Sequence, residues 1–439
     1  MSKAACLITG IFCIAFAAGA QVGPGQLTLH SVDDACAVAV KNNPTKHLYD
    51  LNVQKANIDY KTAKSFLYPS VTASATGQDN LKIAVTPVPG EIVNQPGKTL
   101  FLKFGKQYVY NGGITIARSI FNWQAMAQAR VAENNISLNQ AEADAYVQVL
   151  KQQTAQYYYT ALVAKASVAL SLKDIAAADT IVKITQQRLA EGLTDATAVN
   201  GALINYNQVL ANKLQSQQLL DESLQSLHVL LGMPTNDSLV LTQQLGLQAF
   251  EDVATLNLGI DKNLQVYPHQ LKAAELNTKV QKMAYAPQIG VSSYLGKQQF
   301  RDDFGLGFGS GAWSNYQYIG LSVSVPIFTG FATQNKIRSA EISKSIAEEQ
   351  YRAAKQQASA SDSIVLLRLA SYKAVCKASA DNFGLYYNNC ELAKQKFDEG
   401  LVSADVYLKG FQDYLVAENT HLNNLAALFS NYAVILSRQ

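Results

Sequence analysis

The chain has 439 residues, of which 48 % are hydrophobic and 16 % charged, and its formal net charge is +3. Ample apolar content and low net charge exclude a disordered chain. Outside the N-terminus no apolar run reaches the roughly 18 residues that a helix needs to cross a membrane, which excludes a polytopic helical membrane protein. Charge is evenly scattered, with no basic stripe interleaved with aromatic residues, so we expect no nucleic-acid partner.

The N-terminus has the pattern of a secretory signal peptide. Met1-Ser2-Lys3 is a short basic start, and an apolar run from Ala4 to Ala18 follows it. Ala18-Gly19-Ala20 then supplies the small residues of a cleavage site. We therefore predict a signal peptide over residues 1–20 and an exported mature chain that begins at Gln21.

The first half of the mature chain, residues 21–231, is predicted to be one unit. Helical composition from Ser31 to Leu67 ends at Pro69, and two strands follow, separated by a loop at 77–106. Residues 123–190 contain neither glycine nor proline, which predicts a helix of 68 residues, about 100 Å long at 1.5 Å per residue. Gly192 ends that helix, and another runs from about Asp195 to Leu231.

The second half, residues 263–439, repeats this order after a mixed connector at 232–262. The predicted elements are a helix at 264–285, strands at 288–295 and 315–328, a long proline-free helix at 332–398 and a final helix. The final helix carries apolar residues at spacings of three and four, a sustained heptad pattern. Of its nine heptad positions between Leu408 and Leu436, only Glu418 is not apolar.

The two halves also match in sequence, which predicts an internal duplication. The segment from Gln187 to Leu193 matches the segment from Gln395 to Leu401, so the glycines of the two turns are 400 − 192 = 208 residues apart. The long helices that precede these turns have nearly equal predicted lengths. Near-constant length across a duplication indicates that the length itself serves the function.

The predicted strands have one apolar and one small, polar face. In the strand at 315–328, Ile319, Leu321, Val323 and Val325 alternate with Tyr318, Gly320, Ser322 and Ser324. In an exported protein this alternation, with aromatic residues near the strand ends, is typical of a membrane β-barrel wall. Four strands cannot close a barrel, and an open sheet edge is not tolerated in lipid, so several copies would have to pool their strands. A small soluble sheet packed on the helices is the alternative.

The order and spacing of several short motifs resemble those of the TolC-like outer membrane efflux protein family over residues 30–438. The segment Ala39-Val40-Lys41-Asn42-Asn43-Pro44 lies near the start, and Pro69 and Pro287 mark the two helix-to-strand junctions. Ser324 to Gly330 is similar to the family's strand-to-helix junction, and Leu230 to Pro234 is similar to the segment that ends the first repeat.

This resemblance implies the fold class and the partners. The fold is expected to be mostly α-helical with a β-barrel part: a duplicated helix-strand-strand-long helix-helix unit with four transmembrane strands per subunit. A homotrimer would form one barrel in the outer membrane lipid of a Gram-negative bacterium and a long α-helical barrel in the periplasm. The expected function is the exit duct of a tripartite efflux system, served by a periplasmic adaptor protein and an inner-membrane RND or ABC transporter.

The resemblance also places the functional residues at the two turns, which would form the periplasmic tip. The residues expected to contact the adaptor are Arg188, Gly192, Leu193, Thr194, Lys396, Gly400, Leu401 and Val402. Asp195, Phe397 and Asp405 are candidates for a gate. Asp405 lies one residue before the family's usual acidic position, and Val402 and Lys409 also depart from the family pattern, so the gate is not carried over directly.

An enzyme is not expected. The five histidines have no metal-ligand spacing, and we expect them at the surface or at an interface. The glycine-rich segment at 305–311 lacks the strand and helix that a dinucleotide site requires, and we interpret it as an exposed loop. No cofactor is implied, so a partner must supply the energy. Two alternatives stay open: the duct of a type I protein or peptide secretion system, and a non-conducting coiled-coil trimer.

Overall fold

A computed structural model describes residues 26–93, 96–234, 237–251, 253, 258–309 and 311–439. The predicted signal peptide at 1–20 lies outside the described residues. The helices are α1 (Val32–Asn42), α2 (Pro44–Ala63), α3 (Trp123–Ala190), α4 (Ala196–Leu230), α5 (Lys262–Lys282), α6 (Ala332–Asp398) and α7 (Ala404–Ser437). The strands are β1 (Gln26–Leu29), β2 (Ser70–Asp79), β3 (Val85–Pro89), β4 (Thr99–Lys103), β5 (Tyr108–Asn122), β6 (Ser238–Leu241), β7 (Gln288–Arg301) and β8 (Ser314–Ser324).

The two long helices have the predicted bounds. The helix α3 has 68 residues and α6 has 67. Neither contains proline, the residue that most strongly interrupts a helix. Among the described helices, none has the length and apolar character needed to cross a membrane.

The chain divides into two compact units, which do not coincide with the two predicted repeats. One unit consists of the described residues of Met1–Asn43, Leu150–Leu256 and Arg368–Ser437. The other consists of the described residues of Pro44–Val149, Asn257–Leu367 and Arg438–Gln439. The predicted repeat boundaries and the duplication stay predictions.

The first unit is built from helices and one short sheet. Strands β1 and β6 pair in parallel, with Gln26 opposite Ser238 and Leu29 opposite Leu241. Portions of α3, α4, α6 and α7 enclose a core that includes Ile181, Phe397 and Phe411. Within the same unit Tyr159 of α3 stacks on Phe429 of α7, with ring centroids 4.5 Å apart. The heptad face of α7 is therefore the packed face of that helix.

The second unit contains a four-stranded antiparallel sheet in the order β2-β5-β7-β8. The register places polar or small side chains opposite each other across the sheet, with Thr72 facing Thr115 and Thr115 facing Tyr294. The next positions form the other face, on which Ala73 faces Ile114 and Ile114 faces Leu295. Because side chains alternate along a strand, the central part of one face is mainly small or polar and that of the other is mainly apolar, although Gln317 faces Leu295 on the second face.

Tyr294 lies on the polar face, and its ring leaves no space for a side chain at two neighbouring positions, which are both glycine. A Cβ atom at Gly113 or at Gly296 would come within 2.7 Å of Tyr294 side-chain atoms. Tyr294 itself stacks on Tyr318 with centroids 5.8 Å apart. Because these two glycines have no side chain, the Tyr294 ring can lie flat over the neighbouring strand.

Four predicted segments need correction. The strand predicted at 315–328 ends at Ser324, so Val325 lies beyond it. The loop at 77–106 contains a hairpin, in which β3 pairs antiparallel with β4. Its prolines Pro87 and Pro89 are two residues apart, so both can face the outer edge of β3, where no N–H group is needed. The strand predicted at 288–295 continues to Arg301. The helix predicted from Ser31 to Leu67 is interrupted at Asn43, where the following proline begins α2.

Candidate functional site

The two predicted turns have the same backbone geometry. Gly192 and Gly400 have φ angles of +73° and +76°, in the left-handed region that glycine adopts without steric cost. Gly192 donates a hydrogen bond to the carbonyl of Leu189 and Leu193 donates to that of Arg188. In the other turn Gly400 donates to Phe397 and Leu401 donates to Lys396. Each long helix therefore ends in a Schellman motif, which satisfies its last carbonyl groups.

The leucine after each glycine is exposed. Leu193 is 71 % exposed and Leu401 is 68 % exposed, and Thr194 and Val402 beside them are half-buried. The Gly192 and Gly400 positions have open space around them. Each turn thus presents one large apolar side chain next to an uncovered backbone.

Arg188 joins the end of α3 to the end of α6. Its Nη2 donates to the carbonyl oxygen of Phe397 over 2.6 Å, and its Cζ lies 3.8 Å from the Phe397 ring centroid. Phe397 is 1 % exposed and its ring lies 5.5 Å from that of Tyr407. The guanidinium therefore covers a buried aromatic ring and binds a carbonyl at the negative end of a helix dipole. Lys396 is exposed.

The three gate candidates occupy different environments. Asp195 is exposed and caps α4, because its Oδ1 accepts a hydrogen bond from the Ala198 amide over 3.0 Å. Asp405 is exposed in the first turn of α7. With the offset of 208 between the turns, Asp195 corresponds to Ser403, so the two carboxylates are not at equivalent positions. Phe397 is buried beneath Arg188 and does not line an open surface.

A buried polar cluster lies in the same unit and was not predicted as a functional site. The hydroxyl of Tyr414 lies 2.7 Å from Oε2 of Glu418 and 3.1 Å from Oδ1 of Asp174. Both carboxyl groups are almost fully buried. Glu418 is the one exception in the apolar heptad of α7, so the sequence did carry a signal for this site.

The expectation that the histidines lie at the surface or at an interface is wrong for His228, which is buried, and for His421. The ring of His421 is fully buried, with Nε2 donating to the carbonyl oxygen of Leu247 over 2.7 Å and Nδ1 lying 2.8 Å from the Ser379 hydroxyl. Burial lowers the pKa of His421. This histidine therefore holds part of the connector against α6 and α7. Among the described residues no group of three or more His, Cys, Asp or Glu side chains could hold a metal ion.

The chain matches one protein family over most of its length. The profile described as outer membrane efflux protein matches residues 38–233 and 256–432. The chain belongs to the outer membrane efflux protein family. Members of this family are channels, and the resemblance read from the short motifs is confirmed.

Curated relatives and solved structures agree with this assignment. The chain is 24 % identical over 395 residues to the probable efflux pump outer membrane protein TtgC of Pseudomonas putida KT2440, covering 86 % of this chain and 76 % of TtgC. The Campylobacter jejuni CmeC outer membrane channel has a TM-score of 0.75 at 16 % identity, covering 93 % of this chain and 85 % of CmeC. The open-state Neisseria gonorrhoeae MtrE outer membrane channel has a TM-score of 0.71 at 15 % identity, covering 93 % and 88 %. The fold is therefore that of these channels.

Proposed function

We propose that this member of the outer membrane efflux protein family is the exit duct of a tripartite efflux system. It conducts substrates passively from a periplasmic adaptor and an inner-membrane RND or ABC transporter to the outside of a Gram-negative cell. The observation that carries this proposal is the four-stranded sheet, with an apolar and a polar face and with β2 and β8 at its edges. Ile319 and Leu321 on the apolar face are 82 % and 70 % exposed in the single chain.

The sheet edges argue for assembly of several copies. An unpaired strand edge leaves N–H and C=O groups without partners, which costs several kcal/mol per group in a lipid environment. Pairing β8 of one copy with β2 of the next satisfies both edges and closes a wall. In the proposed homotrimer each subunit contributes four strands, the apolar face contacts outer membrane lipid, and the helices extend into the periplasm.

The experiment that tests assembly uses the full mature chain in mild detergent. We expect a trimer that migrates as one species on a gel without heating and as a monomer after heating. A species of monomer mass before heating would contradict the proposal, since an isolated four-stranded sheet cannot close a barrel.

The tip is proposed to be the adaptor-binding surface. Arg188 and Lys396 bring positive charge to the helix ends, Gly192 and Gly400 form the turns, and Leu193 and Leu401 are the apolar anchors. Thr194 and Val402 complete the eight residues. We expect the double variant Leu193→Ala/Leu401→Ala to lose capture of its periplasmic adaptor. Leu385→Ala, an exposed control on α6, should retain capture. Equal capture by both variants would contradict this assignment.

A gate at the same tip is proposed to involve Asp195 and Asp405. Both carboxylates are exposed, so a ring of these residues from several copies would attract cations and repel anions. Phe397 would act on the gate only indirectly, because its buried ring packs against the Arg188 guanidinium. Asp195→Asn tests the charge alone, since asparagine caps a helix about as well as aspartate does.

No catalytic residue or cofactor is assigned, and transport energy comes from the partner pump. The alternatives are the duct of a type I protein or peptide secretion system and a non-conducting structural trimer. The curated relatives are named as efflux pump proteins, which favours efflux. A neighbouring gene for an ABC exporter with a peptidase domain would favour secretion.

A further inference from the structure

The Asp174–Tyr414–Glu418 cluster contains more hydrogen-bond acceptors than hydrogens when both acids are ionised. A tyrosine hydroxyl has one hydrogen, and an ionised carboxylate has none. The Tyr414 hydroxyl lies within hydrogen-bonding distance of both carboxyl groups, so its single hydrogen cannot serve both of them. One additional proton is therefore needed to connect all three groups.

Burial makes the additional proton favourable. Asp174 and Glu418 are 5 % and 3 % exposed, and two adjacent buried carboxylates would repel each other in a medium that screens charge poorly. A single proton on the pair removes one of the two charges and supplies the missing donor. The cluster then becomes a fully satisfied polar contact between α3 and α7.

The groups around the cluster do not neutralise both acids. A cavity of about 410 Å³ adjoins it, between α3, α6 and α7. Lys173 of α3 lowers the pKa of Asp174 by its charge, but burial, the larger cause, raises it. The other titratable groups that face the cavity are Tyr387, Cys390, Glu391, Lys394 and Tyr407. His421 lies one turn beyond Glu418 but is engaged by Ser379 and Leu247.

We propose that Asp174 and Glu418 share one proton through Tyr414, and that loss of this proton loosens the contact between α3 and α7. We call these three residues the carboxyl clamp. It rests on the proposed function only for its consequence, which is regulation of the duct. Asp174 precedes Gly192 by 18 residues, about 27 Å along the helix, so a separation of α3 from α7 here would reach the tip.

The direction of the pH effect follows from the protonation of the folded state. Burial, the largest cause, raises the pKa of both carboxyl groups above their usual range. The folded protein therefore binds the shared proton more tightly than the unfolded chain does. The free energy of unfolding therefore falls as pH rises toward the raised pKa values of the folded state. In that pH interval the unfolded state binds fewer protons than the native state.

The primary test is thermal unfolding of the full mature protein in detergent between pH 5 and pH 8. We expect the Tm of the wild type to fall across this range by at least about 2 °C relative to Asp174→Asn/Glu418→Gln, in which amide groups supply the hydrogens at every pH. The matched control is Asp179→Asn, a half-exposed acid five residues further along α3 that forms an ion pair with Lys183. It should keep the wild-type slope, and equal slopes in the double variant and the wild type would overturn the proposal.

A spectroscopic measurement keeps the proposal testable if the double variant does not fold. Asp174→Asn and Glu418→Gln are made singly, and infrared difference spectra of each against the wild type are recorded at pH 6 and pH 8. We expect the wild type to show the band of a buried protonated carboxyl group at pH 6 that weakens at pH 8. Absence of that band at pH 6 would overturn the clamp.

Conductance in planar bilayers tests whether the carboxyl clamp regulates opening of the proposed duct. The open probability of the wild type should rise from pH 6 to pH 8, and that of the double variant should not change. If no variant conducts at any pH, the proposed duct fails, and the unfolding and infrared results still decide whether the clamp exists. An unchanged wild-type open probability in a conducting trimer would overturn the regulatory role.

Discussion

Two glycines determine how the long helices end. Gly192 and Gly400 both adopt positive φ, and each turn returns the chain through a Schellman motif with an exposed leucine after it. An L-residue with a side chain pays about 1–2 kcal/mol in the left-handed region. A glycine-to-alanine change at Gly384, inside α6, should instead raise the free energy of unfolding, so the two sites can be compared.

Alanine substitutions at two glycines should therefore change stability in opposite directions. We expect Gly192→Ala to lower the free energy of unfolding by about 1–2 kcal/mol, because of its positive φ. Gly384→Ala should raise the free energy by about 0.5–1 kcal/mol, because this glycine lies inside α6 with open space around it. Denaturant unfolding of the full chain measures both, and a stabilising Gly192→Ala would contradict the turn geometry.

Individual residues were predictable where the sequence repeats itself. The match between the segments ending at Leu193 and Leu401 was enough to identify both turns from the amino-acid sequence. Glu418 was visible as an exception in an apolar heptad, but its partner was not, because Asp174 is 240 residues from Tyr414 and has no local pattern. His421 was missed for the same reason, since its partners Ser379 and Leu247 lie on other segments.

At the scale of elements, the two faces of β8 should respond differently to charge. Leu321 lies on the apolar face and Ser322, its neighbour, on the polar face. A lysine on the lipid face costs about 2–4 kcal/mol near the bilayer midplane, whereas the opposite face tolerates charge. We expect Leu321→Lys to reduce the amount of heat-labile trimer in outer membranes and Ser322→Lys to leave it near the wild-type level.

Two outcomes for the amount of trimer would contradict the predicted faces of β8. Equal losses from Leu321→Lys and Ser322→Lys would mean that both faces are packed against protein. Losses from Ser322→Lys alone would place the polar face in the more apolar environment. Either outcome would contradict the proposed wall.

Elements with strong local signals were predicted well, and elements that depend on distant pairing were not. The bounds of α3 and α6 follow from long runs without proline and from the glycines after them. The hairpin of β3 and β4 was missed because its prolines normally exclude strands, and they are compatible with one only at an outer edge. The parallel pair of β1 and β6 was missed because each strand has four residues and its partner lies about 200 residues away.

For the whole molecule, the chain has features that one copy cannot satisfy. The sheet has two edges and an apolar face with exposed isoleucine, leucine and valine, and each long helix ends in an exposed leucine. The proposed assembly of several copies would cover these edges and exposed apolar side chains together. We therefore expect copies of this chain to form a conducting duct.

Single-channel recording from the purified mature protein in planar bilayers is the decisive measurement for such a duct. We predict discrete conductance steps in the wild type. We also predict weaker cation preference and shorter open times in Asp195→Asn/Asp405→Asn, because neutralising both acids removes their attraction for cations and their mutual repulsion at the proposed gate. Unchanged closure and selectivity in the double variant would refute the gate alone. A folded, heat-labile trimer that inserts into the bilayer without any conductance would contradict the duct itself.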